Sequence, residues 1–201
     1  MRHILSKLLI IAGLLLIISP LLKTGYSLYM QKNLLQDIEQ TQPAVDISPV
    51  DPALPAATAP TAPNVPVQTP PKIKAVLVLN IPKLNLKAAV VQGVTSRDLS
   101  LGPGLYPDSS LPGIKGNVSI AGHRNVFGSW FRHLNKLVPG DKISITYHGT
   151  IYNYEVEKVF VVAENDWSVV APTPYKALTL TTCDPPGNVT QRLIVRAKQV
   201  E

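Results

Sequence analysis

The C-terminal two thirds of this 201-residue sequence predict a mainly β fold, an all-β barrel closed or nearly closed on itself. Three observations lead there. Seven or eight short runs rich in Val, Ile, Leu, Thr and Tyr follow one another from residue 75 to residue 197. Gly, Pro and Asn clusters separate them, as turns between strands require. Only one or two stretches carry a helical spacing, so strands do not alternate with helices as an α/β layer fold would demand.

The first third is of another kind. Residues 4–22 are almost wholly apolar, interrupted by Ser6, Lys7, Ser19 and Pro20. At about 1.5 Å per residue they reach roughly 23–28 Å, barely enough to span a bilayer. No Ala-x-Ala-like site follows, which favours an uncleaved N-terminal transmembrane helix over 1–25 rather than a removed signal. Arg2, His3 and Lys7 precede the apolar run and point to a cytoplasmic N-terminus with the body exported, a single-pass arrangement at the cell membrane; Lys23 and Lys32 weigh slightly against it. Residues 26–42 read as a short helical continuation, with Leu28, Leu34, Leu35 and Ile38 near helical spacing. Between Pro43 and Pro71, nine of 29 residues are proline. That composition favours an extended spacer of up to roughly 90 Å, so 26–71 reads as a juxtamembrane segment and stalk. Residues 72–201 are left to form one domain.

Within that domain, residues 75–81 and 88–91 are β-branched runs separated by the turn Pro82-Lys83-Leu84-Asn85. A Gly- and Pro-rich loop over 102–116 leads to a strand at 117–121. Phe127, Trp130, Phe131, Leu134 and Leu137 are spaced for one buried face of a short helix that Pro139-Gly140 would stop. Residues 142–147 and 151–156 alternate on either side of His148-Gly149, as an antiparallel hairpin should. Strands at 160–163, 178–182 and 192–197 complete the count.

The net charge of +6 and a pI near 9.4 raise the question of nucleic acid. The lysines are scattered and no basic run is interleaved with aromatics, so a surface facing an anionic envelope is the better reading and no nucleic acid is expected. Four scattered histidines and one cysteine give no zinc spacing. Glu155, Glu157, Glu164 and Asp166 could bind calcium only if loops brought them together, and neither metal nor cofactor is expected.

Cys183 is the only cysteine, and it ends a strand-like run just before Asp184-Pro185-Pro186-Gly187. With no internal disulfide possible, a thiol where a strand meets a loop invites a chemical role. A thiolate nucleophile needs a base and a nearby cation. His123 stands at another strand end, and Arg192 opens a strand nine residues past the cysteine. Arginine does not deprotonate, so its part would be to bind a carbonyl or an oxyanion, while histidine moves the proton. Spacing alone leaves rivals open. A free cysteine is commonly an inert core residue, His133 and His148 compete with His123, and Arg196 shares a strand face with Arg192. Arg192 could equally be an edge arginine paired with an acid such as Asp184. Trp167, ahead of Ala171-Pro172, could line a peptide groove.

Local wording narrows the choice. Thr179-Leu180-Thr181-Thr182-Cys183, Arg192-Leu193-Ile194-Val195 and Gly116-Asn117-Val118-Ser119-Ile120-Ala121-Gly122-His123-Arg124 together resemble the sortase family of cell-wall transpeptidases. The likeness extends through Ile81-Pro82-Lys83-Leu84, Gly102-Pro103-Gly104-Leu105-Tyr106-Pro107, Leu111-Pro112-Gly113 and Ala171-Pro172-Thr173-Pro174, and covers nearly all of 75–198. The resemblance implies the eight-stranded sortase barrel as a catalytic domain over 72–201. It further implies that Cys183 attacks the threonine carbonyl of a Leu-Pro-x-Thr-Gly-type sorting signal, that His123 is general acid and base, and that Arg192 holds the substrate and the oxyanion. Ala121 and Thr182 would be substrate-binding residues. The implied partners are surface proteins bearing a C-terminal sorting signal and an amine from a peptidoglycan precursor or a protein lysine. Cys183-Asp184-Pro185-Pro186-Gly187 looks more like class D or class E sortases. With no lid motif of Asp-Pro-aromatic type and no second apolar segment, class C is not expected. Leu105 stands where many relatives carry His before the Tyr. Two other readings use the same residues: a cysteine peptidase acting mainly by hydrolysis, and a tethered barrel that binds without catalysis.

Overall fold

The structure, a computed structural model, describes residues 2–41, 75–187 and 189–201. A 40-residue helix, α1 (Arg2–Thr41), is followed by β1 (Ala75–Ile81), β2 (Leu86–Gln92), a short α2 (Ser96–Leu101), β3 (Gly104–Leu105) and β4 (Gly116–Ala121). Then come β5 (Lys142–Tyr147), β6 (Thr150–Ala163), β7 (Lys176–Asp184) and β8 (Gln191–Val200). The eight strands close into a barrel in the order β1-β2-β3-β4-β7-β8-β6-β5, with β5 returning to β1. The mainly β barrel expected from the alternating runs is thus the fold. Its interior is filled by one side of each strand: Leu77, Leu79 and Ile81 from β1, Val118 and Ile120 from β4, Leu178 and Leu180 from β7, and Leu193, Val195 and Ala197 from β8.

The β5–β6 hairpin is antiparallel as expected, and the sheet as a whole is mixed, with β2 parallel to β3 and β4 parallel to β7. Several details differ from the sequence reading, each for a local reason. The runs read separately at 151–156 and 160–163 are one 14-residue strand, which passes a register shift between Val156 and Lys158. The helix expected over 127–137 does not form. Phe127, Gly128 and Ser129 all have positive φ (48°, 83° and 52°), a left-handed run that a right-handed helix cannot continue, and only a 3-10 turn at Leu134–Lys136 remains. Its apolar residues still reach the core, since Phe131, Leu134 and Leu137 are buried. Asp98 and Thr95 cap each other at the start of α2 in a capping box, which the sequence reading passed over.

α1 runs unbroken through Pro20. Among the described residues no helix is long and apolar enough to cross a membrane, so the transmembrane segment expected over 1–25 is not supported; the residues concerned form the first part of a longer helix that continues onto the barrel. Ser27, Gln31, Leu34 and Ile38 are buried, at a spacing that draws one helical stripe, whereas Leu28 faces outward. Leu34 and Ile38 share an apolar cluster with Ala75, Val78, Ala89, Val91 and Leu101. Gln31 fixes the dock: its Nε2 donates to the carbonyls of Ala89 (2.8 Å) and Leu101 (3.0 Å), and its Oε1 accepts from the Ala89 N–H (2.9 Å). Gly102 makes room, since a Cβ there would lie 1.8 Å from that Nε2. The proline-rich stretch expected as a stalk lies outside the described residues.

Candidate active site

The outer faces of β4, β7 and β8 form the floor of the site. Leu178 and Leu180 point into the barrel, so Thr179, Thr181 and Cys183 point out of it. On β4 the outward positions are Asn117, Ser119 and Ala121, in parallel register with Ala177, Thr179 and Thr181. On β8, Arg192, Ile194 and Arg196 face the same way. Most of this outer face is buried, because two connections lie over it.

The β6–β7 connection is pinned by polar contacts. Asn117 Nδ2 donates to the carbonyls of Val169 and Ala171 (both 3.1 Å), its Oδ1 accepts from Thr179 Oγ1 (2.7 Å), and Arg196 Nη2 donates to the Val169 carbonyl (2.7 Å). Arg196, the rival to Arg192, is therefore spent on holding a loop. The β3–β4 connection is fixed in the same manner. Ser109 Oγ accepts from Ser119 N–H (2.8 Å), and the Tyr106 hydroxyl meets Thr181 Oγ1 at 3.0 Å. Between the two connections opens a cleft of about 400 Å³ lined by Val94, Tyr106, Pro107, Asp108, Trp167 and Val170. Trp167, expected as a groove residue, stands on its wall and is 65% exposed.

Because β4 and β7 run parallel, both end at the same rim. His123 follows β4 by two residues, and Cys183 stands two residues past the Ala121–Thr181 pair on β7. The Gly122 N–H donates to the Thr181 carbonyl (3.1 Å), which carries the pairing one residue beyond the strand. Directly opposite Cys183, on antiparallel β8, is Arg192. Residues 60 and nine positions from the cysteine in the chain are thereby gathered at one end of the barrel. Closely paired positions of an antiparallel ladder present their side chains on one face.

Each side chain has a distinct environment. The Cys183 thiol is half-buried and free. His123 is half-buried beside Phe127, whose ring centroid is 5.4 Å from the imidazole, and its Nε2 is buried with no hydrogen-bond partner among the described residues. Burial holds its pKa below the ordinary 6.5, so the ring is neutral at pH 7 and able to accept a proton. The Arg192 Nη1 donates to the carbonyls of Val189 (2.7 Å) and Gln191 (3.0 Å), and Nη2 lies 3.8 Å from the Glu164 carboxylate. Asp184 is not the partner of Arg192, because it forms an ion pair with Arg124.

The other expected site residues fall into two groups. Ala121 is part of the outer floor, in register with Thr181. Thr182 is buried, and its hydroxyl donates to the Gly122 carbonyl (2.7 Å), tying the ends of β7 and β4 together beneath the site. His133 and His148 are exposed, the latter at φ 47° in the β5–β6 hairpin, and neither belongs to this rim. Among the described residues no three His, Cys, Asp or Glu side chains are grouped to hold a metal ion. Glu155 is paired with Lys142, Glu157 with the Tyr175 hydroxyl, Asp166 with Ser168, and Glu164 faces Arg192.

Arg124 is the residue that sequence reasoning missed. It is 6% exposed, its Nη1 donates to the Cys183 carbonyl (2.9 Å), and it holds the Asp184 carboxylate, so it fixes the chain directly after the thiol. Its signal was present: an arginine directly after His123 and an acid directly after Cys183. Tyr106 and Glu164 are named in the sequence for other reasons, and their partners Thr181 and Arg192 lie too far along the chain to be read from it.

A family model for the sortase domain matches residues 79–200. The chain is 34% identical over 127 residues to sortase D of Bacillus subtilis, a match covering 61% of this chain and 63% of that one. It is 33% identical over 140 residues to sortase SrtE1 of Streptomyces coelicolor, covering 61% of this chain and 40% of that one. These matches therefore span less than two thirds of either relative's length. Among solved structures, the fold is similar to a Clostridium perfringens sortase D5 transpeptidase, with a TM-score of 0.59 and 32% identity over 64% of this chain and 80% of that one.

Proposed function

The chain belongs to the sortase family, and from that premise we propose that it is a cysteine transpeptidase that cleaves a sorting signal of Leu-Pro-x-Thr-Gly type in a surface protein and passes the acyl part to an amine. One observation carries the reading: the parallel pairing of β4 with β7 sets His123 and Cys183 at the same rim, with Arg192 opposite the cysteine.

The proposed steps follow from these environments. The thiol proton passes to neutral His123, and Sγ adds to the threonine carbonyl carbon. The negative charge that develops on the carbonyl oxygen is met by the Arg192 guanidinium, which exchanges its loop carbonyls for the substrate. As the C–N bond breaks, the imidazolium gives its proton to the leaving glycine amine and a thioester remains. An acceptor amine from a peptidoglycan precursor or a protein lysine then adds to the thioester and loses a proton to His123. Expulsion of the thiolate, which takes that proton back, completes the cycle. Ala121 supplies a flat floor for the extended peptide, and Thr182 supports it from below. The cleft between Tyr106 and Trp167 takes the residues preceding the threonine. Membership of the sortase family supports a place at the cell wall, with the barrel on the outer side.

Intact mass spectrometry of the full chain with Leu-Pro-x-Thr-Gly and Leu-Ala-x-Thr-Gly peptides tests the proposal. A peptide-sized adduct is expected on the wild type and not on Cys183→Ala. Release of the adduct as an amide when an amine is added marks transfer; release only as the free acid marks a hydrolase. Arg192→Lys should form the adduct at least a hundredfold more slowly, because a point charge does not replace a planar donor fork. An adduct on Cys183→Ala would sink the assignment of the nucleophile.

A further inference from the structure

We propose that the N-terminal helix positions the acid–base histidine: Ser27 on α1 holds the loop that lays the Phe127 ring against His123, so the helix is a working part of the active site. The inference rests on the reading of His123 as acid and base, and the contacts form an unbroken path. Ser27 is fully buried, and its Oγ donates to the Phe127 carbonyl at 3.0 Å. The same oxygen accepts from Trp130 Nε1 at 3.4 Å. One hydroxyl thereby grips a loop on both sides of its tightest point.

That point has no freedom of its own. Gly128 sits at φ 83°, and a Cβ there would lie 2.9 Å from Trp130 Nε1 and 3.2 Å from Ser27 Oγ. Phe127 and Ser129 flank it with positive φ, a conformation that non-glycine residues adopt only when their surroundings impose it. Farther along, the Phe131 N–H donates to the His123 carbonyl at 3.0 Å, closing the loop back on the histidine. On the same helix, Gln31 anchors α1 one turn after Ser27, so Ser27 cannot drift.

The charged and titratable groups facing this rim are few. Cys183 and Asp184 come from β7, Arg124 is next to His123, and Arg192 is on β8. Asp184 is taken by Arg124, and Arg192 is turned toward its own loop and Glu164. From α1 the nearest charges in sequence, Lys23 and Lys32, are exposed, as are Arg132 and His133 beyond the loop. Burial, to which the Phe127 ring contributes, is the cause acting on the imidazole.

The test is histidine-selective NMR titration of the full chain in detergent, with the His123 signal identified by its loss in His123→Gln. Ser27→Ala and Phe127→Ala should both move the His123 titration upward, toward its ordinary value, while His133 and His148 titrate unchanged. Under transfer conditions kcat should fall about tenfold with KM nearly constant, the mark of a displaced catalytic group. Phe127→Tyr, which keeps the ring, should restore both. Should Phe127→Ala not fold, Ser27→Ala, which loses a single hydroxyl, carries the test. An unmoved His123 titration in Ser27→Ala would overturn the link to the helix, and an unmoved one in Phe127→Ala would overturn the role of the ring. The titration reads out whether or not the wild type transfers peptide, so failure of this inference is distinct from failure of the transpeptidase reading.

Discussion

His123 shows how one buried side chain ties chemistry to stability. Its pKa is lowered in the folded state by burial, so the unfolded chain binds more protons below pH 6.5 than the native one does. Stability therefore rises with pH across the window between the folded value and 6.5, is fully present above that window, and is lost as pH falls through it. Urea unfolding at about pH 7.5 and about pH 5.5 should show wild type losing more stability than His123→Gln over that interval. Equal losses would mean that the imidazole is as accessible folded as unfolded. A sequence singles out individual residues where their neighbours form a distinctive string, as around Cys183, His123 and Arg192, and the fold brings those three to one rim. It does not single out their partners. The alternative that paired Arg192 with Asp184 fails, since Arg124 takes Asp184 and Glu164 faces Arg192 instead, because an ion pair depends on which strand ends meet.

At the scale of elements, periodicity served well for strands and poorly for whatever a loop conformation overrode. The alternation in β5 and β6 and the apolar runs of β1 and β7 survive folding because one face of each is buried in the barrel. The apolar spacing at 127–137 is equally real, but the left-handed backbone at 127–129 uses it to plug a loop into the core rather than to face a helix. α1 is the clearest case. Its docking stripe contains Ser27 and Gln31, and polar residues at contact positions are invisible to a search for hydrophobic repeats. Gln31→Leu should expose that dependence. It removes three buried hydrogen bonds at once and leaves the Ala89 and Leu101 groups unpaired, a loss of about 3 kcal/mol in the unfolding free energy of the full chain. A loss below about 1 kcal/mol would show that the apolar cluster holds the helix by itself.

For the molecule as a whole, closure is what makes the site possible. A barrel leaves no open edge, and the order β4-β7-β8 places the ends of β4 and β7 and the start of β8 at one rim. The number of strands could be read from the sequence. Their spatial order could not, because the parallel neighbours β4 and β7 are separated in the chain by β5 and β6. The class D or class E character read from the residues after Cys183 agrees with the likeness to a sortase D and a sortase SrtE1. Ile38 near the end of α1 and Ala75 at the start of β1 lie in the same apolar cluster, so residues 42–74 tether two surfaces that already touch. A covalent connection between two docking surfaces acts through effective concentration, and doubling the length of such a loop costs only about 0.6 kcal/mol. A protease site inserted there should therefore leave transfer activity intact in concentrated, freshly cut protein and make it decline on dilution as the helix departs. Activity that is independent of dilution after cutting would show that the barrel works without its helix. The chain between helix and barrel is then free to vary in length and composition, while the two surfaces it joins are not.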